Sequence, residues 1–106
     1  MTNLPHKKIG VAVIVNEKQE ILIDQRLPTG AMANLWEFPG GKIEAGETVS
    51  ECIIREIQEE LGVEIKIDEH LIDITHTYPK FRVTLCVYLC QLISGVPQPL
   101  ECTRSL

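Results

Sequence analysis

The sequence predicts an α/β domain in which one amphipathic helix docks on a sheet. Three observations carry that reading. Apolar, β-branched runs recur on either side of a central segment, as strands do. The central segment, residues 48–61, places Ile53, Ile54, Ile57 and Leu61 in one stripe at about 100° per residue. Gly62 follows where a left-handed helix cap belongs. A chain of 106 residues fits one domain, 1–106, with a single small core.

In chain order, residues 9–15 (IGVAVIV) read as a buried strand. Residues 16–20 are a polar turn, and residues 21–23 return as the second strand of a hairpin. Residues 27–34 contain Pro28 and Gly30 and read as a loop. Residues 35–38 form a short extended piece stopped by Pro39, with Trp36 expected to fill the core or else to stack on a base. On the helix, Glu56, Glu59 and Glu60 occupy an arc beside the apolar stripe. Glu51, Arg55 and Gln58 lie farther round, toward solvent. Residues 71–77 and 81–92 are strands separated by Tyr78, Pro79 and Lys80. In the second, Phe81, Val83, Leu85, Val87 and Leu89 share one face. Residues 95–99 are turn-rich.

Bulk properties narrow the function. The net charge of −5 gives no electrostatic footprint for duplex DNA or RNA. No apolar run reaches the length of a membrane span, and residues 1–8 lack the apolar region of a signal peptide. Cys52, Cys86, Cys90 and Cys102 show no C-x-x-C spacing, and Cys52 and Cys86 lie in apolar runs as buried thiols. These features together fit a reducing cytoplasm.

Residues 41–63, GKIEAGETVSECIIREIQEELGV, hold the chemistry. Glu56, Glu59 and Glu60 stand at i, i+3 and i+4 and project to one side of the helix. Their charges repel unless a cation sits among them. A hard divalent metal with oxygen ligands is the natural candidate: Mg2+, with Mn2+ as a substitute. A solvated acidic helix face is the alternative. Arg55 and Glu59 are i, i+4 neighbours, so an ion pair between them is geometrically easy. Glu47 sits at the helix start, where a negative charge complements the dipole. Gly40 and Gly41 permit close backbone approach.

This spacing resembles the Nudix box. Its positions are filled here by Gly41, Glu47, Arg55, Glu56, Ile57, Glu59, Glu60, Gly62 and Val63. Coincidence of the seven fixed identities at one start has odds of roughly 10⁻⁸ at ordinary residue frequencies. Residues 32–44, MANLWEFPGGKIE, are similar to the approach segment of the family's MutT branch. The likeness covers about residues 7–101 and is strongest over 26–63. It implies the Nudix fold, an α/β/α sandwich with a mixed sheet. It also implies a magnesium-dependent hydrolase that converts nucleoside triphosphates, 8-oxo-dGTP foremost, to the monophosphate and pyrophosphate. Another nucleoside diphosphate derivative or a pyrimidine triphosphate stays open as substrate, as does a weak or non-catalytic nucleotide-binding domain.

Residue by residue, the resemblance assigns the metal to Glu56, Glu59, Glu60 and the main-chain carbonyl of Gly40, with Arg55 orienting a catalytic carboxylate. It offers Glu101 as general base, with Glu56 or Glu59 as the alternative. It places Arg26, Glu37, Phe38, Pro39, Gly40, Lys42 and Phe81 at the substrate. The chain also departs from the pattern. Ala31 stands where some members carry histidine, and Leu106 falls where a last strand, a loop with a base-reading Asn and a closing helix are expected. The expected consequences are weaker base selectivity and an open apolar face and edge that favour a homo-oligomer.

Overall fold

The computed structural model describes residues 4–25, 27–29, 34–97 and the backbone of 104–105. Its elements are β1 (His6–Val15), β2 (Asp24–Gln25), β3 (Trp36–Glu37), β4 (Gly40–Lys42), α1 (Val49–Leu61), β5 (Glu64–Thr77), β6 (Arg82–Ser94) and β7 (Arg104–Ser105). Four strands form a mixed sheet in the order β4-β1-β6-β5, and β3-β2-β7 make a smaller one. In the main sheet β1 and β6 run parallel from His6↔Arg82 to Val15↔Gln91. The β1–β4 and β5–β6 pairs are antiparallel.

β1 alternates as a sheet strand with one covered face should. Gly10, Ala12 and Ile14 are buried, while Val11, Val13 and Val15 are half-buried. The buried set meets Ile53, Ile57 and Leu61 of α1 together with Val63, Ile65 and Cys90. α1 starts at a capping box, in which Thr48 accepts from the Glu51 N–H and the Glu51 side chain accepts from Thr48 N–H. It ends at Gly62, whose φ of 69° suits a residue without Cβ. Among the described residues, no helix is long and apolar enough to cross a membrane.

Several expectations need correction. Ile54 is 46% exposed, and fully buried Cys52 flanks the stripe in its place. The cause is the close approach of α1 at Gly10, where a Cβ would fall 2.8 Å from Ile53 Cγ1. Seating Ile53 over that glycine turns Ile54 outward and Cys52 inward. Residues 21–23 do not form a strand. Only Ile21 bridges to Val15, and Leu22 N–H donates to the Ile14 carbonyl at 3.0 Å. Farther along that edge β4 pairs with β1, at Ile9↔Lys42 and Val11↔Gly40, and β2 joins the small sheet. Trp36 lies in that small sheet and is 38% exposed rather than in the core. β5 begins at Glu64 instead of Leu71, with register shifts against β6 that absorb its charged stretch.

Val83, Leu85, Val87 and Leu89 do share a face, and it is the one turned away from α1. Thr84, Cys86 and Cys90 are the buried members of β6. Ile72 and Ile74 lie opposite Val87 and Leu85 on that outer face and are 52% and 47% exposed.

Candidate metal and phosphate site

Arg55 is the hub of the site. Its Nε donates to Glu47 Oε2 at 2.7 Å and its Nη2 to Glu47 Oε1 at 3.0 Å, a two-pronged pair. Nη1 donates to Glu56 Oε1 at 2.9 Å and to Glu59 Oε2 at 3.3 Å. Nη2 also reaches the Lys42 carbonyl at 3.3 Å. Glu44 Oε1 stands 3.9 Å from the same nitrogen and is mostly exposed. Arg55 therefore faces the glycine strand and not solvent, and its strongest partner is Glu47 rather than Glu59. Glu47 was expected mainly at the helix dipole. Its spacing from Arg55 could have suggested the pair, but Glu47 precedes the helix, so no helical geometry dictates the contact.

The charges of this hub are firmly held. The hydrogen bond to Glu47 comes first in raising Arg55 above its usual range, so the guanidinium stays cationic. The Arg55 hydrogen bond, helped by the Glu44 N–H, lowers Glu47 from 4.5 to about 2. A depressed carboxylate contributes stability above its unfolded value and loses it as pH falls through its folded value. The advantage of wild type over Glu47→Gln in denaturation midpoint is expected to shrink as pH falls from 4.5 to about 2. Urea melts across that range check this. An advantage independent of pH would contradict the pairing.

The glycine strand brings backbone against carboxylate. A Cβ on Gly41 would collide with the Glu56 carboxylate, and one on Gly40 with the Gly10 carbonyl. Pro39 is buried and its carbonyl accepts from Ala12 N–H at 2.9 Å, which pins this run to β1. Cys52 Sγ–H donates to the Gly41 carbonyl at 3.4 Å. Burial, followed by the charge of Glu47, pushes this thiol up to about 11, so it remains a protonated donor.

The structure thus gathers Arg55, Glu56, Glu59, Glu47, Gly41 and the Lys42 backbone. Glu60 follows Glu59 on α1 and is half-buried. Among the described residues, no three His, Cys, Asp or Glu side chains are drawn into a ready metal cage. Here the guanidinium supplies the local positive charge. The donor set nevertheless suits a hard cation: carboxylates only, beside glycine backbone with no side chain between. The Lys42 side chain is exposed, as is Glu37, and Phe38 is 45% exposed. Phe81 is stacked on Tyr78 at 4.8 Å between centroids, with Lys7 Nζ 4.5 Å from its ring. Lys7 pairs with Val83, whose face turns away from α1, so Phe81 is not brought to the carboxylates. Arg26 and Glu101 lie outside the described residues.

An arginine-tied acidic helix beside a glycine strand on a mixed sheet defines a class, the hydrolases of phosphoanhydride bonds. The NUDIX domain profile matches residues 10–104, and the chain belongs to that family. It is 39% identical over 90 residues to the 8-oxo-dGTP diphosphatase of Escherichia coli K12, covering 85% of this chain and 70% of that one. It is 41% identical over 61 residues to the CTP pyrophosphohydrolase of the same organism, covering 58% of this chain and 45% of that one. The crystal structure of a MutT protein from Methanosarcina mazei Go1 superposes with a TM-score of 0.84. That match covers 100% of this chain and 78% of the other at 24% identity, a likeness of fold.

Proposed function

We propose that the chain is a magnesium-dependent nucleoside triphosphate pyrophosphohydrolase of MutT type, acting in the cytoplasm on the free nucleotide pool, with 8-oxo-dGTP as leading substrate. The observation that carries this reading is the single guanidinium that holds Glu47, Glu56 and Glu59 against the Gly41 strand. Glu56, Glu59, Glu60 and the Gly40 carbonyl would hold the metal. Bound there, Mg2+ supplies charge neutralisation for the phosphate chain. Arg55 orients Glu56 and Glu59 through its hydrogen bonds to both. A carboxylate among Glu56, Glu59 and Glu101 accepts the proton of the attacking water. Arg26 and Lys42 pair with phosphate oxygens. The nucleoside lies along Glu37 and Phe38, whose side chains are exposed beside the glycine strand.

A pyrimidine triphosphate is the second reading, supported by the likeness to the CTP enzyme over the box segment. Pyrophosphate release from 8-oxo-dGTP, dGTP and CTP, measured side by side with Mg2+, separates the two. Selective release from the oxidised purine supports the first, and preference for CTP the second. No release from any of them means a different substrate or a domain that only binds.

A second copy of this chain is the proposed occupant of the outer sheet face over Ile72, Ile74, Leu85 and Val87, with the Phe81 end left free. Ile72 and Ile74 are 52% and 47% exposed there, opposite Val87 and Leu85, and such an apolar patch favours a partner. Sedimentation equilibrium at micromolar concentration is expected to show a dimer that Ile74→Glu dissociates. A wild-type monomer would contradict it.

A further inference from the structure

Cys52 is fully buried, and its thiol is the polar contact that α1 makes with the Gly41 carbonyl. It rests on Gly10, where a Cβ would stand 3.3 Å from Cys52 Sγ. Gly10 in turn faces Gly41 in the register of β1 against β4. Gly41 is the residue whose missing side chain leaves room for the Glu56 carboxylate. Three elements therefore meet at one sulfur. α1 also bonds consecutive carbonyls of β4, Gly41 through Cys52 and Lys42 through Arg55. The two ties differ in kind. Arg55 is shared among four carboxylates, whereas Cys52 offers a thiol to the Gly41 carbonyl.

We propose that Cys52, seated on Gly10, is a positioning residue. It holds the Gly41 peptide at the separation from α1 at which Glu56 and the glycine backbone can serve one cation. This deepens the metal role proposed above for α1 and rests on it. The ladder pairs the Gly41 carbonyl with Gly10 N–H, so the strand is fixed and Cys52 sets how far α1 stands from it. A larger residue at 52 would meet Gly10, and a smaller apolar one would leave a gap there and let α1, with Glu56, shift against the Gly41 strand. Cys52 touches neither substrate nor metal, so its effect should appear in cation affinity and kcat and leave KM unchanged.

Cys90 provides the control. It is as buried as Cys52, but its Sγ contacts the Tyr88 carbonyl at 3.6 Å, on β6 rather than β4. The experiment compares Cys52→Ala, Cys52→Ser and Cys90→Ala with wild type. Mn2+ alone is titrated by electron paramagnetic resonance, and Tm, kcat and KM are measured with a nucleoside triphosphate and Mg2+. Cys52→Ala is expected to weaken Mn2+ binding and kcat roughly tenfold, the low end for residues behind metal ligands, with KM within about twofold. Cys52→Ser, which keeps a donor, recovers most of both. Cys90→Ala lowers Tm about as much as Cys52→Ala and leaves Mn2+ affinity and kcat at the wild-type level. Wild-type Mn2+ affinity and kcat in Cys52→Ala overturn the proposal, as does an equal loss in Cys90→Ala. Wild type binding no Mn2+ would instead remove the metal reading itself, and this inference with it.

Discussion

Glu59→Gln is expected to abolish magnesium-dependent turnover while the protein stays folded. Glu59 accepts from Arg55 at 3.3 Å, and its side chain is 49% exposed. Losing one exposed ion pair costs under about 1 kcal/mol of stability. A metal's charge stabilisation in the transition state is worth several kcal/mol, so the drop in kcat/KM is roughly 10³-fold. Glu60→Gln should behave in the same way. Circular dichroism confirms folding in each variant, and pyrophosphate release reads the activity. Turnover that survives both changes would show that the carboxylates of α1 do not hold the metal, leaving them a solvated acidic face.

The second large effect concerns Gly41. Gly41→Ala places a methyl group on the Glu56 carboxylate. The strand cannot easily retreat, because Gly40 and Gly41 are paired with Val11 and Gly10. Glu56 must swing away and give up its 2.9 Å bond from Arg55. A misplacement of about 1 Å at a reacting centre costs on the order of 10²-fold in rate. A loss of that size in kcat is expected with a small change in Tm. Gly40→Ala is the informative contrast. Its methyl group meets the Gly10 carbonyl, which is backbone and cannot rotate aside. That variant should lose stability first, visible as a lower urea midpoint. If Gly41→Ala keeps wild-type kcat, the close approach of strand and carboxylate has no catalytic meaning.

The elements with strong local signals were legible in the sequence. β1 announces itself by β-branched residues, and α1 by its stripe and Gly62. The Thr48–Glu51 capping box was equally readable from its T-x-x-E spacing. Small-sheet pieces were harder. Two-residue strands such as Asp24–Gln25 and Trp36–Glu37 carry no period, and only tertiary pairing defines them. Ile21 and Ile23 have strand propensity. The edge of β1 they approach is paired farther along with β4, whose glycines have almost no strand propensity of their own. Which face of β6 meets the helix was not decidable either. Val83, Leu85 and Val87 look as apolar as the buried set with Thr84 and Cys86.

The site divides along the same line. Helical spacing placed Glu56, Glu59 and Arg55 on adjoining arcs. It could not show that Glu47, from the loop ahead of α1, takes two of the guanidinium's bonds. Nor could it show that Cys52, read as a buried thiol, reaches the Gly41 carbonyl. Both contacts arise from the docking angle of α1 on β1, which Gly10 sets by what it lacks.

Product analysis of one reaction tests the central claim most directly. Wild-type protein is incubated with 8-oxo-dGTP and Mg2+, with and without chelator, and the phosphates are resolved by 31P NMR. The account predicts monophosphate and pyrophosphate in equal amounts and no reaction in chelator. Release of orthophosphate and the diphosphate, or turnover undiminished by chelator, would contradict it.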